Sequence, residues 1–367
     1  MESKPRFYLP ELDGLRFIAF LLVFIHNAPS ISSSKIWTAL HEYGWVGVDL
    51  FFCLSGFLIT KLLLEEYQKI QAIKIRFFYV RRMLRILPLY FFFVATTYLV
   101  AFASNNIGKN PIFHISALVF LGDNFATAFV SPNPLFHTVH LWTISYEAQF
   151  YLFAPWFILF FGGSKEKAQR MLLSLLLLGN IVRAILIYQH TPHPMIYVLP
   201  VTHFESILAG VALGLGFFDS ILNKLKDWML LLIGITCFGL VINLPNIETI
   251  GWHLILTYTL AGIGSVFIVL SVMKERPSPR SNFLYNKYFV KLGKVSYSLY
   301  IYHLVCLVIA DRIVRLILPI TSANYSITMA IIGLILTISF AHISYRWIEK
   351  PFLRLKERFA VIPSNPV

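Results

Sequence analysis

His26 closes the apolar run that begins at Leu12, ten residues after Arg16. An imidazole inside hydrocarbon costs free energy unless it lines a wet cavity or meets a partner, so it marks a proton-transfer site or a helix-packing hydrogen bond. At about 1.5 Å rise per residue it lies about 15 Å beyond Arg16, near the middle of a bilayer about 30 Å thick. Five further ionisable residues fall inside apolar segments: Asp49, Glu147, Arg183, Glu205 and His303. Counted from their segment ends, Asp49, Glu147 and Arg183 reach depths that His26 can meet. One base, two carboxylates and a cation at matching depth would form a polar cavity opening outward. The structural alternative is that Asp49 or Glu205 pairs with Arg183 as helix glue. His303, at the end of Tyr297-Ser298-Leu299-Tyr300-Ile301-Tyr302-His303, fits packing and cavity lining equally. His137 and His140 precede an apolar run in an outer loop and could touch an acceptor, though exposed loop histidines usually do nothing specific.

A second chemistry sits in Phe77-Phe78-Tyr79-Val80-Arg81-Arg82-Met83-Leu84-Arg85-Ile86-Leu87-Pro88. Arg82 and Arg85 are three apart, hence on one helical face, and the guanidinium fork suits phosphate oxygens. The plainer reading is a juxtamembrane cluster touching lipid headgroups.

The elements that position these residues are read from apolar periodicity. The chain of 367 residues is 57% hydrophobic and 13% charged, with mean hydropathy +0.70, which excludes a soluble domain and predicts an all-α polytopic membrane protein. Ten runs are long enough to span, near 13–29, 44–64, 85–103, 141–162, 171–189, 195–218, 227–244, 252–273, 293–317 and 325–347. Region 111–121 is too short and reads as interfacial or re-entrant. Assigned to alternate connections, 26 of the 31 lysines and arginines fall on one side and four on the other. The positive-inside rule then puts both termini in the cytoplasm and accounts for the net charge of +13 without nucleic acid. The first run follows Glu11 and Asp13 as well as Lys4 and Arg6 and lacks a small-x-small cleavage site, so it is not a cleaved signal peptide. Cys53, Cys237 and Cys306 lie in apolar segments and imply no disulfide framework. No internal repeat of the transporter kind is visible. The expected organisation is a membrane domain over 1–350 and a short basic cytoplasmic tail over 351–367, with no appended soluble domain; Ser344 to Lys356, with aromatics interleaved with cations, reads as an interfacial anchor on anionic lipid.

Taken in order, these blocks resemble the membrane acyltransferase-3 family of multi-span carbohydrate O-acyltransferases. The matching stretches are Leu12 to His26, Gly44-Trp45-Val46-Gly47-Val48-Asp49-Leu50-Phe51-Phe52-Cys53-Leu54-Ser55-Gly56-Phe57-Leu58-Ile59-Thr60, Arg82-x-x-Arg85, and Leu141-Trp142-Thr143-Ile144-Ser145-Tyr146-Glu147-Ala148-Gln149-Phe150-Tyr151. Tyr297 to His303 and Arg346-Trp347-Ile348-Glu349-Lys350-Pro351-Phe352 are similar to the family's closing blocks. The resemblance covers the chain end to end. It implies transfer of an acyl group, acetyl first among them, from cytoplasmic acyl-CoA to a hydroxyl of a cell-surface glycan, lipid-linked sugar or glycoside, in a bacterial plasma (inner) membrane and without a metal. The family's first-span histidine, its arginine pair and its glutamate would map to His26 as base, Arg82 with Arg85 on acyl-CoA, and Glu147 beside the base; beyond that mapping, the expected site adds Asp49 to the catalytic group, Arg16 to the acyl-CoA side, and Arg183, Glu205, His303 and Trp142 to the substrate side. One departure stands out: the family usually places ten residues between the first-span arginine and histidine, and here nine separate Arg16 from His26, with Asn27 in the usual slot. The rival classes are a transporter or flippase, whose midplane charges move a substrate, and a non-catalytic partner in a glycan-assembly complex.

Overall fold

Runs of leucine, isoleucine, phenylalanine and alanine leave the backbone one way to satisfy its polar groups in hydrocarbon, and the chain takes it. The computed structural model describes residues 9–360 except 32–33, 107, 109, 131–132, 162, 274–283, 285, 321 and 323, and among the described residues there is no strand. In chain order the helices are α1 Pro10–Asn27, α2 Lys35–Tyr43, α3 Val46–Ile70, α4 Ile75–Ala103, α5 Pro111–Val119, α6 Asp123–Phe129, a 3₁₀ turn Phe136–Leu141, α7 Trp142–Phe161, α8 Lys165–Tyr188, α9 Met195–Val198, α10 Glu205–Gly214, α11 Asp219–Lys224, α12 Asp227–Ile242, α13 His253–Met273, α14 Lys287–Lys294, α15 Ser296–Arg315, α16 Tyr325–Ser344, a π-helical turn Tyr345–Glu349, and α17 Lys350–Glu357.

Six of these are long and apolar enough to cross a membrane: α3, α4, α8, α13, α15 and the continuous α16–α17 rod. Among the described residues the structure thus supports six spans of the ten expected, and α10 and α12 are shorter apolar helices. The segment expected at 195–218 is not one helix: it breaks into α9 and α10 around Leu199–Phe204, where Pro200 has no backbone N–H to continue the ladder. The first and fourth expected spans are α1 and α7, outside the six because acidic and polar residues interrupt them.

Helix α3 is the central post. Its apolar window is 72% buried, against 22% for α8 and for the α16–α17 rod, which expose Leu177, Leu178, Ile331 and Ile335 on a lipid-compatible surface. It packs against α1, α7, α10 and α13. Contact with α10 is backbone to backbone: a Cβ at Gly210 would lie 2.1 Å from the Cys53 carbonyl oxygen, and one at Gly56 would lie 2.3 Å from that of Ile207. Small residues at such crossings let helices approach closely enough for dispersion to hold them.

Two irregular elements aim functional side chains. Pro155 inside α7 removes the i→i−4 bond to Tyr151. The π turn, a device frequent at functional sites, re-phases the last rod so that α17 packs against α4. In sequence, residues 344–356 read as an interfacial segment on anionic lipid. Instead Leu353 and Lys356 are buried while Arg354 and Arg358 stay exposed; residues 361–367 lie outside the described residues.

Candidate active site

A cavity of about 180 Å³ opens among α1, α3, α4, α7, α15 and α17. One end is cationic, with Arg16, Arg82, Arg85 and Lys356; the walls are apolar, with Leu58, Ile59, Ile86 and Ile144; the far end carries Thr143 and Tyr300. Helical phase explains the grouping. Arg82 and Arg85 share a face of α4, and Thr143, Glu147 and Tyr151 follow one another at four-residue steps on α7.

Glu147 stands midway. Its Oε1 accepts hydrogen bonds from the Ser55 and Tyr151 hydroxyls, so α3 and α7 together fix the carboxylate. The Arg82 guanidinium rests over the rings of Phe78 and Tyr151, 5.8 and 5.7 Å from their centroids, and its buried Nε has no partner. Arg16 is held by Asp13 at 2.9 Å on the same turn of α1. The neighbouring Arg81 points elsewhere: Nη2 meets Glu66 at 3.0 Å and Nη1 donates to the Phe359 carbonyl at 2.8 Å. Glu66 also accepts from the Lys74 amide, so this pair ties α3, α4 and the last turn together.

The polar cluster expected around His26, Asp49, Glu147 and Arg183 is divided by the structure into separate groups. Asp49 and Ser55 are six apart on α3, about 600° at 100° per residue, and so point about 120° apart. Asp49 faces α10, where it accepts from the Ser206 hydroxyl and lies 3.1 Å from His203 Nε2, while His203 Nδ1 donates to the Tyr197 carbonyl at 2.8 Å. Arg183 pairs with Glu205 at 2.5 Å and donates to the Thr202 carbonyl at 2.5 and 2.8 Å, with the guanidinium over the Tyr258 ring. Both members are buried, so they hold α8 to α10, as the helix-glue alternative had it, and do not face the cavity. Trp142 also stays out of the cavity: its ring packs on Tyr197 at 4.9 Å, part of an aromatic wall with Phe52 and Tyr146, the latter two stacked at 4.4 Å. That wall separates Asp49 from Glu147.

His26 lies at the other end of α1 from Arg16. Ten residues is about 1000°, roughly a quarter turn out of phase as well as a helix length away, and His26 does not line the cavity. Its Nδ1 donates to the His41 carbonyl at 2.6 Å, which fixes the proton on that nitrogen and leaves Nε2 with its lone pair. Helix α1 runs regularly through Asn27, whose amide donates back to the Val23 carbonyl at 2.9 Å.

His303 is fully buried, its Nδ1 donating to the Tyr300 carbonyl at 2.5 Å. His140 corrects the loop reading. It is buried in the 3₁₀ turn, with its ring centroid 4.9 Å from that of His303. Sequence reasoning also passed over His203, Ser55, Tyr151 and Lys356. The four-residue step from Glu147 to Tyr151 was the available signal for one of them; nothing local marks the others. Among the described residues no group of three or more His, Cys, Asp or Glu is arranged to hold a metal ion.

Among the described residues, the helices enclose a cavity with cationic side chains at one end and apolar walls behind them. Residues 9–346 match the family model described as "Acyltransferase domain", and the chain belongs to this acyltransferase-3 family. It is 30% identical over 365 residues to the "Putative O-acetyltransferase SACOL0978" of Staphylococcus aureus (strain COL), covering 94% of this chain and 57% of that protein. It is 28% identical over 383 residues to "O-acetyltransferase OatA" of Staphylococcus aureus (strain NCTC 8325 / PS 47), covering 99% of this chain and 60% of that protein. The chain thus spans less than two thirds of the length of these relatives. No solved structure matches it.

Proposed function

We propose that this chain transfers an acetyl group from cytoplasmic acyl-CoA to a hydroxyl of a cell-surface glycan, lipid-linked sugar or glycoside in a bacterial plasma membrane. The order of groups along the cavity carries the reading. Four cations surround one end, and behind them lie apolar walls and hydroxyls. Coenzyme A has the same order, with phosphates at one end of a long neutral arm and the thioester at the other. Arg82 and Arg85, with no carboxylate at salt-bridge distance among the described residues, offer forks to the phosphates, and Lys356 adds a point charge. Arg16 is already shared with Asp13 and closes the mouth from α1. Glu147 keeps a second oxygen for an amide N–H of the arm. His26 serves as base through Nε2, and Asp49 supports the site indirectly by holding His203. The relatives' names, both O-acetyltransferases, support acetyl as the group and oxygen as its destination.

The test uses the purified full chain in lipid nanodiscs with acetyl-CoA and a soluble oligosaccharide bearing free hydroxyls. Free thiol should appear together with acetylated sugar. A chain that binds the sugar but neither binds nor cleaves acetyl-CoA would establish the transporter reading instead.

A further inference from the structure

The cavity ends on hydroxyls, and their protons can be counted. Of those in its lining, Ser55 and Tyr151 are committed to Glu147, and Tyr297 donates to the Ile86 carbonyl at 2.8 Å. Ser296 lies one turn of α15 before Tyr300, beside Tyr297 and so at the level of Ile86 and the arginines. Thr143 and Tyr300 remain, at the end away from the cations. Thr143 is eight residues, about 12 Å of helix, from Tyr151, whose ring carries Arg82.

These two hydroxyls form a triangle with one carbonyl. Their oxygens are 2.8 Å apart, and the His140 carbonyl oxygen lies 2.9 Å from Thr143 and 3.3 Å from Tyr300. Each hydroxyl has one proton, so two of the three contacts can be hydrogen bonds at a time. Thr143 donating to the carbonyl and Tyr300 to Thr143 uses the two short contacts. The reverse order needs the 3.3 Å contact, long for a hydroxyl donor, whose bonds to oxygen centre at about 2.7–2.8 Å. In the favoured order Tyr300 can turn its O–H to a ligand while Thr143 keeps the buried carbonyl satisfied. Thr143 has no such freedom, because its departure leaves the carbonyl with the long bond. The Tyr300 ring itself is held edge-on by Phe51 at 6.1 Å and by the His140 ring at 5.2 Å, so the phenol oxygen stays in place as its proton turns.

We propose that Tyr300 donates its hydrogen bond to the thioester carbonyl oxygen and stabilises the negative charge that collects there, with Thr143 as the residue that frees its proton. This rests on the acyltransfer reading above. With the phosphates at the cations and Glu147 on an amide of the arm, the thioester carbonyl is the arm's last acceptor and Tyr300 the cavity's last free donor. In the reaction the acceptor O–H bond breaks, its proton passing to the base, and its oxygen bonds to the thioester carbon. The π pair of the C=O bond moves onto the carbonyl oxygen, where the bond from Tyr300 strengthens. The pair then returns, the C–S bond breaks with its electrons on sulfur, and sulfur takes the proton from the base as the free thiol of CoA. Tyr300 keeps its own proton throughout. A fixed donor aimed at developing charge in a site poor in water contributes more to the transition state than to the bound thioester. Tyr300 is thus a catalytic residue and Thr143 a positioning residue.

The experiment uses the full chain in lipid nanodiscs and reads three quantities: acetyl-CoA affinity by titration, kcat by product mass, and the carbonyl stretch of bound, carbonyl-¹³C-labelled acetyl-CoA by infrared difference spectroscopy. Tyr300→Phe should bind acetyl-CoA about as the parent does and lose roughly 10²–10³-fold in kcat. Its carbonyl band should move to higher wavenumber, because a C=O without its donor is stiffer. Tyr297→Phe removes a neighbouring hydroxyl that is committed to Ile86, and should leave the band in place. An unmoved band in Tyr300→Phe overturns the proposal, and so does parental kcat. If Tyr300→Phe does not fold, Thr143 decides. Thr143→Val hands the Tyr300 proton to the His140 carbonyl and should lower kcat and raise the band, whereas Thr143→Ser should hold both near the parent's; equal behaviour of the two overturns the proposal. Failure of the parent protein to bind acetyl-CoA in the same titration would instead strike the acyltransfer reading.

Discussion

Arg81 and Arg82 are neighbours in sequence with opposite structural circumstances, so alanine at each should fail in opposite ways. Arg81 is 11% exposed, and its partner Glu66 is 2% exposed. Removing the cation leaves a buried carboxylate with only the Lys74 amide, and breaking a buried pair costs about 3–5 kcal/mol. Arg82 is half-buried, yet its buried Nε is unpartnered and Arg85 lies on the same face. Truncating it removes an unsatisfied donor and a like-charge neighbour, and loses cation–π contact with Phe78 and Tyr151 worth about 0.5–2 kcal/mol. These terms oppose one another, so the unfolding free energy should move by less than about 2 kcal/mol. The ligand reverses the order. A charge-assisted hydrogen bond contributes about 1.5–3 kcal/mol, so Arg82→Ala should weaken acetyl-CoA binding roughly 10–150-fold. Arg81→Ala should leave the affinity of the folded fraction unchanged. Lysine at Arg82 should restore binding in part, because an ammonium lacks the bidentate fork. Calorimetric titration of acetyl-CoA and urea unfolding, run on the same preparations, read both quantities. Equal affinity in Arg82→Ala and the parent would refute the phosphate role and return Arg82 to a lipid or packing contact.

Other consequences are independent of that pair. Gly210→Ala puts a methyl 2.1 Å from a backbone oxygen of α3 that cannot yield without parting the two helices, so thermal unfolding should show a loss of at least about 1–3 kcal/mol. Arg183→Leu leaves Glu205 buried and unpaired and should destabilise by about 3–5 kcal/mol while the surviving folded protein binds acetyl-CoA normally. Reporter fusions after Glu66 and Lys226 should score as cytoplasmic, and fusions near Asn106 and Asn246 as external; a cytoplasmic signal at Asn106 would reverse the orientation. Exchanging His26 and Asn27 turns the ring about 100° away from the His41 carbonyl and should abolish transfer, whereas retained activity would show that the hydrogen bond to His41 is dispensable.

What the sequence made legible follows from the range of each interaction. Helix positions are set within a few turns by apolar periodicity, and the arginine pair by a three-residue step, so both could be read locally. Rise along each helix could be read too, since it is fixed per residue. Azimuth between helices could not. Asp49, Glu147 and Arg183 reach similar depths yet serve different groups, because the Phe52, Trp142 and Tyr146 rings come between them. That arrangement depends on the α3–α10 crossing set by Gly56 and Gly210, contacts made across more than 150 residues of chain. His140 was misread for a related reason: a short segment of mixed polarity looks like a loop, and only the packing of Phe93, Tyr300 and His303 around it makes it interior.

The separation of Glu147 from His26 changes what the first helix is for. In a single polar pocket, α1 would simply carry an arginine and a histidine to the same substrate. Here Arg16 faces the cationic mouth and His26 the opposite end, with the phenylalanines of α1 between them, Phe20 packed edge-on to His303. A helix is stiff along its axis, so α1 fixes the rise between Arg16 and His26 at about 15 Å. The one-residue shortening between Arg16 and His26 then matters through azimuth: it aims His26 at the α2 carbonyl and away from Glu147. Insertion of one alanine between Phe24 and Ile25 tests this directly, because it moves His26 by about 100° and 1.5 Å while Arg16 stays in place. Transfer should fall with acetyl-CoA binding intact; a rise in activity would mean that the imidazole works best on the Arg16 face after all, and that the cavity reaches further along α1 than its lining residues indicate.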